Sequence, residues 1–112
     1  MPGLKPRHYY ILLALAAGDR HGQAIAREVL SLSDRHVTLW PATLYGSLDE
    51  LVGTGWIEEV DDPRERPPDE SEKRRIFRLT AVGRRTLGTE TDRLSQLVRV
   101  ARTRIARTRS AS

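Results

Sequence analysis

Thr43, Tyr45, Ser47 and Asp49 alternate along one short stretch of this sequence, and Ala42 and Gly46 keep that stretch small. Hydroxyls, a phenol and small neighbours at this spacing can approach and hydrogen-bond a phosphate or a base edge. Behind them Leu44, Leu48 and Leu51 recur at i, i+4 and i+7. They therefore share one helical face, which Val52 widens. The layout is that of a helix held from behind and pressed against a partner in front. From Trp40 to Val52 such a helix spans roughly 18 Å at 1.5 Å per residue, enough for one insertion into a DNA major groove. A core helix of any small α+β domain would show the same stripe.

Other chemistry finds little support. His8, His21 and His36 have no metal-ligand spacing, and the chain of 112 residues has no cysteine, which removes disulfides, thiolate nucleophiles and cysteine-based metal sites. No serine nucleophile motif and no phosphate-cradling glycine loop is present. The expectation is a protein that is not an enzyme and has no cofactor. No apolar run approaches the ~20 residues of a membrane span, and the first residues lack a signal-peptide cleavage pattern. A cytoplasmic protein of one domain is expected.

Charge adds a partner. Residues 1–60 hold 5 Lys+Arg and 7 Asp+Glu, whereas residues 61–112 hold 14 and 8. Lys73, Arg74, Arg75, Arg78, Arg84 and Arg85 lie together without an acid among them. After Asp92 come six further arginines and no acid. A basic second half points to a polyanion, most often nucleic acid. A well-charged solvated surface is the plainer alternative.

The elements that would position these residues can be read in order. Pro6 to Ala17 forms a first helix, apolar nearly all round and closed by Gly18. Such a helix asks for a second burial surface, most simply another subunit. Gly22 to Ser33 forms a second, with Ile25, Val29 and Leu32 as its stripe. Val37-Thr38-Leu39 can make a very short strand before the Trp40–Val52 helix, which Pro41 suits at its start and Gly53 and Gly55 end. Strands at Ile57–Val60 and Arg75–Leu79 flank a polar loop with three prolines, the best candidate for disorder. Thr80 then N-caps a last helix. On it Leu87, Leu94 and Ala101 repeat every seven residues, as do Thr91, Val98 and Ile105, and Leu97 broadens this heptad seam. A seam of this kind needs a partner: the same seam, the first helix of a second copy, or both.

Helix, helix, short strand, helix, strand, loop, strand, helix is the order of a winged helix-turn-helix. The fold class is mainly α with a small β-hairpin (α+β), followed by a C-terminal dimerisation helix. Residues 1–80 would form the DNA-binding unit, 81–106 the dimerisation helix and 107–112 a basic tail without order. The third helix is then the recognition helix, with the wing beside it on the phosphates or in the minor groove.

His21-Gly22, Thr43-Leu44-Tyr45 with Leu48 and Leu51, Gly55-Trp56-Ile57-Glu58, and Arg78-Leu79-Thr80 with Gly83 and Arg84 together resemble the PadR family of transcriptional regulators. The likeness runs from about Leu4 to about Val100, and a single C-terminal helix resembles the short subfamily. It implies a homodimeric repressor on an inverted repeat, dimerising through the first and last helices. The dimer surface would hold Tyr9, Leu12, Leu13, Leu87, Leu94, Leu97, Val98, Ala101 and Ile105. Double-stranded DNA would meet Ala42, Thr43, Tyr45, Gly46 and Ser47 on the recognition helix. His21 and Gln23 sit where the positive end of the second helix can face a phosphate. Lys73, Arg74 and Arg75 would neutralise phosphates, and Arg64 and Arg66 would reach the minor groove.

Two departures stand out. Asp49 and Glu50 put carboxylates on the recognition helix where the family usually shows a basic residue, and the 61–72 loop holds six acids and two arginines. These acids motivate one alternative, a winged helix that binds protein. Another is a ligand-responsive regulator with a small-molecule effector between the subunits. Some short relatives sandwich flat aromatic drugs with a tryptophan of the last helix. Here both Trp40 and Trp56 lie outside that helix.

Overall fold

The computed structural model describes residues 4–60 and 75–111. Their elements are α1 (Pro6–Ala16), β1 (Arg20–His21), α2 (Gly22–Leu32), α3 (Pro41–Thr54), β2 (Ile57–Val60), β3 (Ile76–Leu79) and α4 (Ala81–Ala111). The mainly α class with a β-hairpin is thus the observed one. β3 is central in a three-stranded antiparallel sheet of order β1-β3-β2. On one side Ile57 pairs with Leu79 and Val60 with Ile76, and on the other Arg20 pairs with Phe77.

The third strand lies elsewhere than the expected one. Val37-Thr38-Leu39 forms no strand. Asp34 and Arg35 take left-handed backbone (φ 53° and 67°) and end the α2 turn, after which Leu39 drops into the core. The free edge of β3 is instead occupied by Arg20–His21. The stop after α3 is also later than expected. Gly53 is helical, and Gly55 alone takes the left-handed C-cap, at φ 81°, the conformation a glycine adopts without strain.

One core joins these elements. Ile11, Leu12, Leu15, Ile25, Val29, Leu44, Leu48, Leu51, Ile57 and Phe77 are all buried. α1 lies in the middle, packed by α2, β3 and α4. Tyr9, Tyr10, Leu13 and Ala16 close around it, half-buried, and the Tyr9 hydroxyl lies 2.8 Å from that of Thr91 on α4. The all-round apolar character of α1 is therefore met in large part within the chain, by α2 first and then by α4 and β3. Leu12 is fully buried in its own protomer and Leu87 nearly so.

α4 starts against the wing base. The Thr80 hydroxyl accepts from the Gly83 N–H (3.0 Å) and lies 2.6 Å from the Gly55 carbonyl. That N-cap ties the α3–β2 turn to α4. Gly83 sits so close to β2 that a Cβ there would overlap the Trp56 carbonyl oxygen. Arg84 reaches the last carbonyls of α1 at Ala16 (3.5 Å). Thus Leu79-Thr80 with Gly83-Arg84 is a joint between three elements. Beyond it the helix runs to Ala111, past the expected end at 106, and its 31 residues span about 46 Å.

The joint and the α3 terminus predict opposite effects of one substitution. Gly83→Ala must displace backbone and should lower the thermal midpoint sharply or prevent folding. Gly53→Ala meets open space in a helix and should stabilise by about 0.5–1 kcal/mol. Thermal denaturation followed by circular dichroism checks both.

Candidate nucleic-acid interface

α3 is held from three sides. Leu44, Leu48 and Leu51 anchor its back in the core. The first turn of α1 grips it as well: the Arg7 Nε–H donates to the Ser47 hydroxyl at 3.0 Å. Ser47 is only 1 % exposed. It was expected on the reading face and is instead a buried anchor, because it follows Leu44 by three positions and so shares the leucine side of the helix. The same turn of α1 holds Glu50, whose carboxylate lies 3.7 Å from Lys5 Nζ and 3.5 Å from His8 Nε2.

The third hold involves Tyr45. A Cβ on Gly22 would stand 2.6 Å from the Tyr45 hydroxyl oxygen and 2.8 Å from its ring. Gly22 is thus the floor on which the ring rests, and the His-Gly and Thr-Leu-Tyr segments of the sequence meet in space. The Arg75 guanidinium lies 5.7 Å from the Tyr45 ring centre and 5.1 Å from that of Phe77, within cation–π range. It donates through Nε and Nη2 to both Glu59 oxygens (3.2 and 2.9 Å) and through Nη2 to Asp49 (3.0 Å). Its pKa is driven further up, chiefly by the Glu59 hydrogen bonds. The Arg75 carbonyl also accepts from the Gly22 N–H (3.2 Å).

Several expected roles change accordingly. Arg75 is no phosphate neutraliser waiting for a ligand: its charge is taken up by Glu59 and Asp49, and it binds β2, β3 and α3 together. Tyr45 is half-buried against Gly22 and does not stand out on the reading face. His21 is half-buried at the start of α2, with Nδ1 buried and without a hydrogen-bond partner among the described residues, whereas Gln23 is exposed. Ala42, Thr43 and Gly46 are exposed as expected. Arg64, Arg66, Lys73 and Arg74, together with the 61–72 loop, lie outside the described residues.

The two carboxylates of α3 are each turned toward a cation of the same chain, Asp49 toward Arg75 and Glu50 toward Lys5. Arg7 and Lys5 as clamps escaped the sequence reading, since nothing in their spacing ties α1 to α3. Trp40 is 71 % exposed immediately before the first turn of α3. Its sequence signal was a large aromatic at an N-cap position, where Ser, Thr, Asp or Asn is usual.

On α4 no residue from 91 to 107 is buried. Leu94 is half-buried, and Leu97, Val98 and Ile105 are each about half exposed. No helix among the described residues is long and apolar enough to cross a membrane.

Comparison with known proteins agrees with this geometry. Residues 11–89 match the profile of the transcriptional regulator PadR-like family. A PadR family transcription regulator from Clostridium difficile is similar over 90 % of this chain and 99 % of its own, at 20 % identity and TM-score 0.69. A transcriptional regulator from Clostridium thermocellum is similar over 87 % of each chain, at 21 % identity and TM-score 0.68. BpsR of Bordetella bronchiseptica, whose DNA binding is regulated by 6-hydroxynicotinic acid, is similar over 97 % of this chain and 76 % of its own, at 17 % identity and TM-score 0.64. No curated protein matches the sequence.

Two stability effects follow from the clamps. Gly22→Ala should cost about 1–3 kcal/mol by overpacking against Tyr45, and clearly less in a Tyr45→Ala background, which a double-mutant cycle in urea measures. Burial, then Arg7, pushes the His8 imidazole below its ordinary 6.5, with Glu50 opposing and Lys5 adding a little. The unfolded chain therefore takes up this proton first as pH falls below 6.5. Stability should be full above that value and decline as the pH falls below it, and His8→Gln should flatten that decline in a series of thermal midpoints.

Proposed function

The chain belongs to the PadR-like family of transcriptional regulators, and from that premise we propose that it is a homodimeric repressor that reads an inverted repeat with α3. The family's members are regulators and not enzymes. The observation that carries the reading is the internal pairing of Asp49 and Glu50. It turns each carboxylate toward a cation of the same chain, with Arg75 shared between Asp49 and Glu59, and leaves Ala42, Thr43 and Gly46 exposed on a helix held from behind. It also weakens the case for a winged helix that binds protein, which rested on these two acids together with those of the 61–72 loop.

In this reading residues 1–80 form the DNA-binding unit and α4 (Ala81–Ala111) the dimerisation helix with a basic end. Thr43 hydrogen-bonds DNA, Ala42 and Gly46 permit close approach, and His21 and Gln23 lie near a phosphate at the start of α2. Lys73 and Arg74 neutralise phosphates, and Arg64 and Arg66 reach the minor groove. Leu94, Leu97, Val98, Ala101 and Ile105 form the dimer surface, flanked by Tyr9 and Leu13. A 46 Å helix whose outer half carries exposed apolar residues at seven-residue spacing supports that assignment.

Binding to a duplex from the protein's own upstream region should weaken with salt by about 0.9 log unit per log unit of salt for each phosphate neutralised, and Arg74→Ala should reduce that slope by about one. Sedimentation at micromolar concentration should give a dimer. Leu97→Asp with Ile105→Asp, at two exposed positions, should give a folded monomer with much weaker DNA binding. A wild-type monomer, or binding indifferent to salt, would contradict the proposal.

A further inference from the structure

α3 contains no Lys, Arg, Asn or Gln. The side chains that make bidentate pairs with guanine or adenine in the major groove are therefore absent from the helix that faces it. Asp49 and Glu50, which could accept from the cytosine amino group, are held by Arg75 and Lys5. At the leading end of the helix Trp40, Pro41, Ala42 and Thr43 are all exposed, and they offer apolar surface and one hydroxyl. Among the exposed large hydrophobic side chains of the described residues, Trp40 is the most exposed, at 71 %.

Trp40 is also costly where it stands. It is the N-cap of α3, with extended backbone (φ −71°, ψ 155°), and its carbonyl accepts from the Leu44 N–H at 2.8 Å. Its side chain makes no capping hydrogen bond. A serine there would satisfy an N–H of the first turn, and the indole gains little burial in exchange. The described residues of the protomer give no reason for a tryptophan at this position. A major groove does: the one apolar group that DNA presents there is the C5 methyl of thymine.

We propose that Trp40 is a specificity-determining residue that packs, with Ala42, against thymine methyl groups, so that the half-site is selected by thymines in the major groove and not by guanine edges. This rests on the DNA-binding reading given above and adds the base chemistry to it. The affinity itself would come from phosphate contacts made outside α3.

The test uses the full chain and a random duplex pool. Selection should enrich half-sites with thymines. Replacing the contacted thymines by deoxyuridine, which removes only the methyl, should weaken binding about fourfold for each methyl that is buried. Trp40→Ser should raise the thermal midpoint, through the restored cap, while weakening binding to the selected duplex and abolishing most of the thymine-over-uracil preference. A structural role for Trp40 would give the opposite sign in the melting experiment. An enriched duplex whose binding ignores the uracil exchange, or a Trp40→Ser protein that keeps the full preference, overturns the inference alone. A uniform loss of affinity in Trp40→Ser with no change in that preference marks a backbone contact and overturns it as well. If no duplex is enriched at low salt, the regulator reading falls and this inference with it.

Discussion

The seat of Tyr45 on Gly22, closed by Arg75, is the constraint on which the rest of this structure depends. One ring links α2 to α3, and one guanidinium links that ring to β2 and β3. The hydrogen bond between the Gly22 N–H and the Arg75 carbonyl ties the start of α2 to the return strand as well. A side chain at position 22 would push the tyrosine away, and loss of the cation would leave Glu59 and Asp49 facing each other across the joint. α3 and the base of the wing are thereby fixed relative to one another. A protein that reads DNA with a helix and an adjacent wing needs that fixed relation, because both must find the duplex in one register.

The joint also explains where the charges stand. Acids on α3 look unsuited to a DNA surface until their partners are seen. Asp49 serves the joint through Arg75, and Glu50 serves the grip of α1 through Lys5. Both pairs are partly exposed, so their value lies in orientation more than in stability. The leading end of α3 itself carries no charged side chain. In the proposed function this separates affinity from selectivity: salt-dependent contacts from other segments would hold the protein on DNA, and small apolar contacts would choose the sequence.

Much of this was legible in the residues. The leucine stripe of α3, the strand at Ile57–Val60, the Thr80 cap and the wing order follow from local periodicity and capping chemistry, and these are short-range signals. What was not legible is long-range. Ser47 looked like a reading residue because its type is polar, although its spacing from Leu44 already puts it on the leucine side; what was out of reach is its partner, Arg7, forty positions earlier. Arg75 looked like a free cation because charge runs do not reveal which acids lie across a sheet. β1 was missed since two residues carry no periodicity, and only the open edge of β3 makes them a strand. The all-round apolar α1 was read as asking for a second subunit, whereas α2, α4 and β3 of the same chain pack against it.

The central claim is that α3, locked by this joint, presents its leading end to the major groove with its acids paired internally. The most direct measurement is a crystal structure of the protein on a duplex selected from a random pool. The account predicts Ala42, Thr43 and Trp40 against base edges in the major groove, with the Asp49–Arg75 and Glu50–Lys5 pairs intact and Tyr45 still resting on Gly22. A complex in which α3 lies off the DNA, or in which Arg75 leaves Asp49 and Glu59 to bind phosphate, would contradict it.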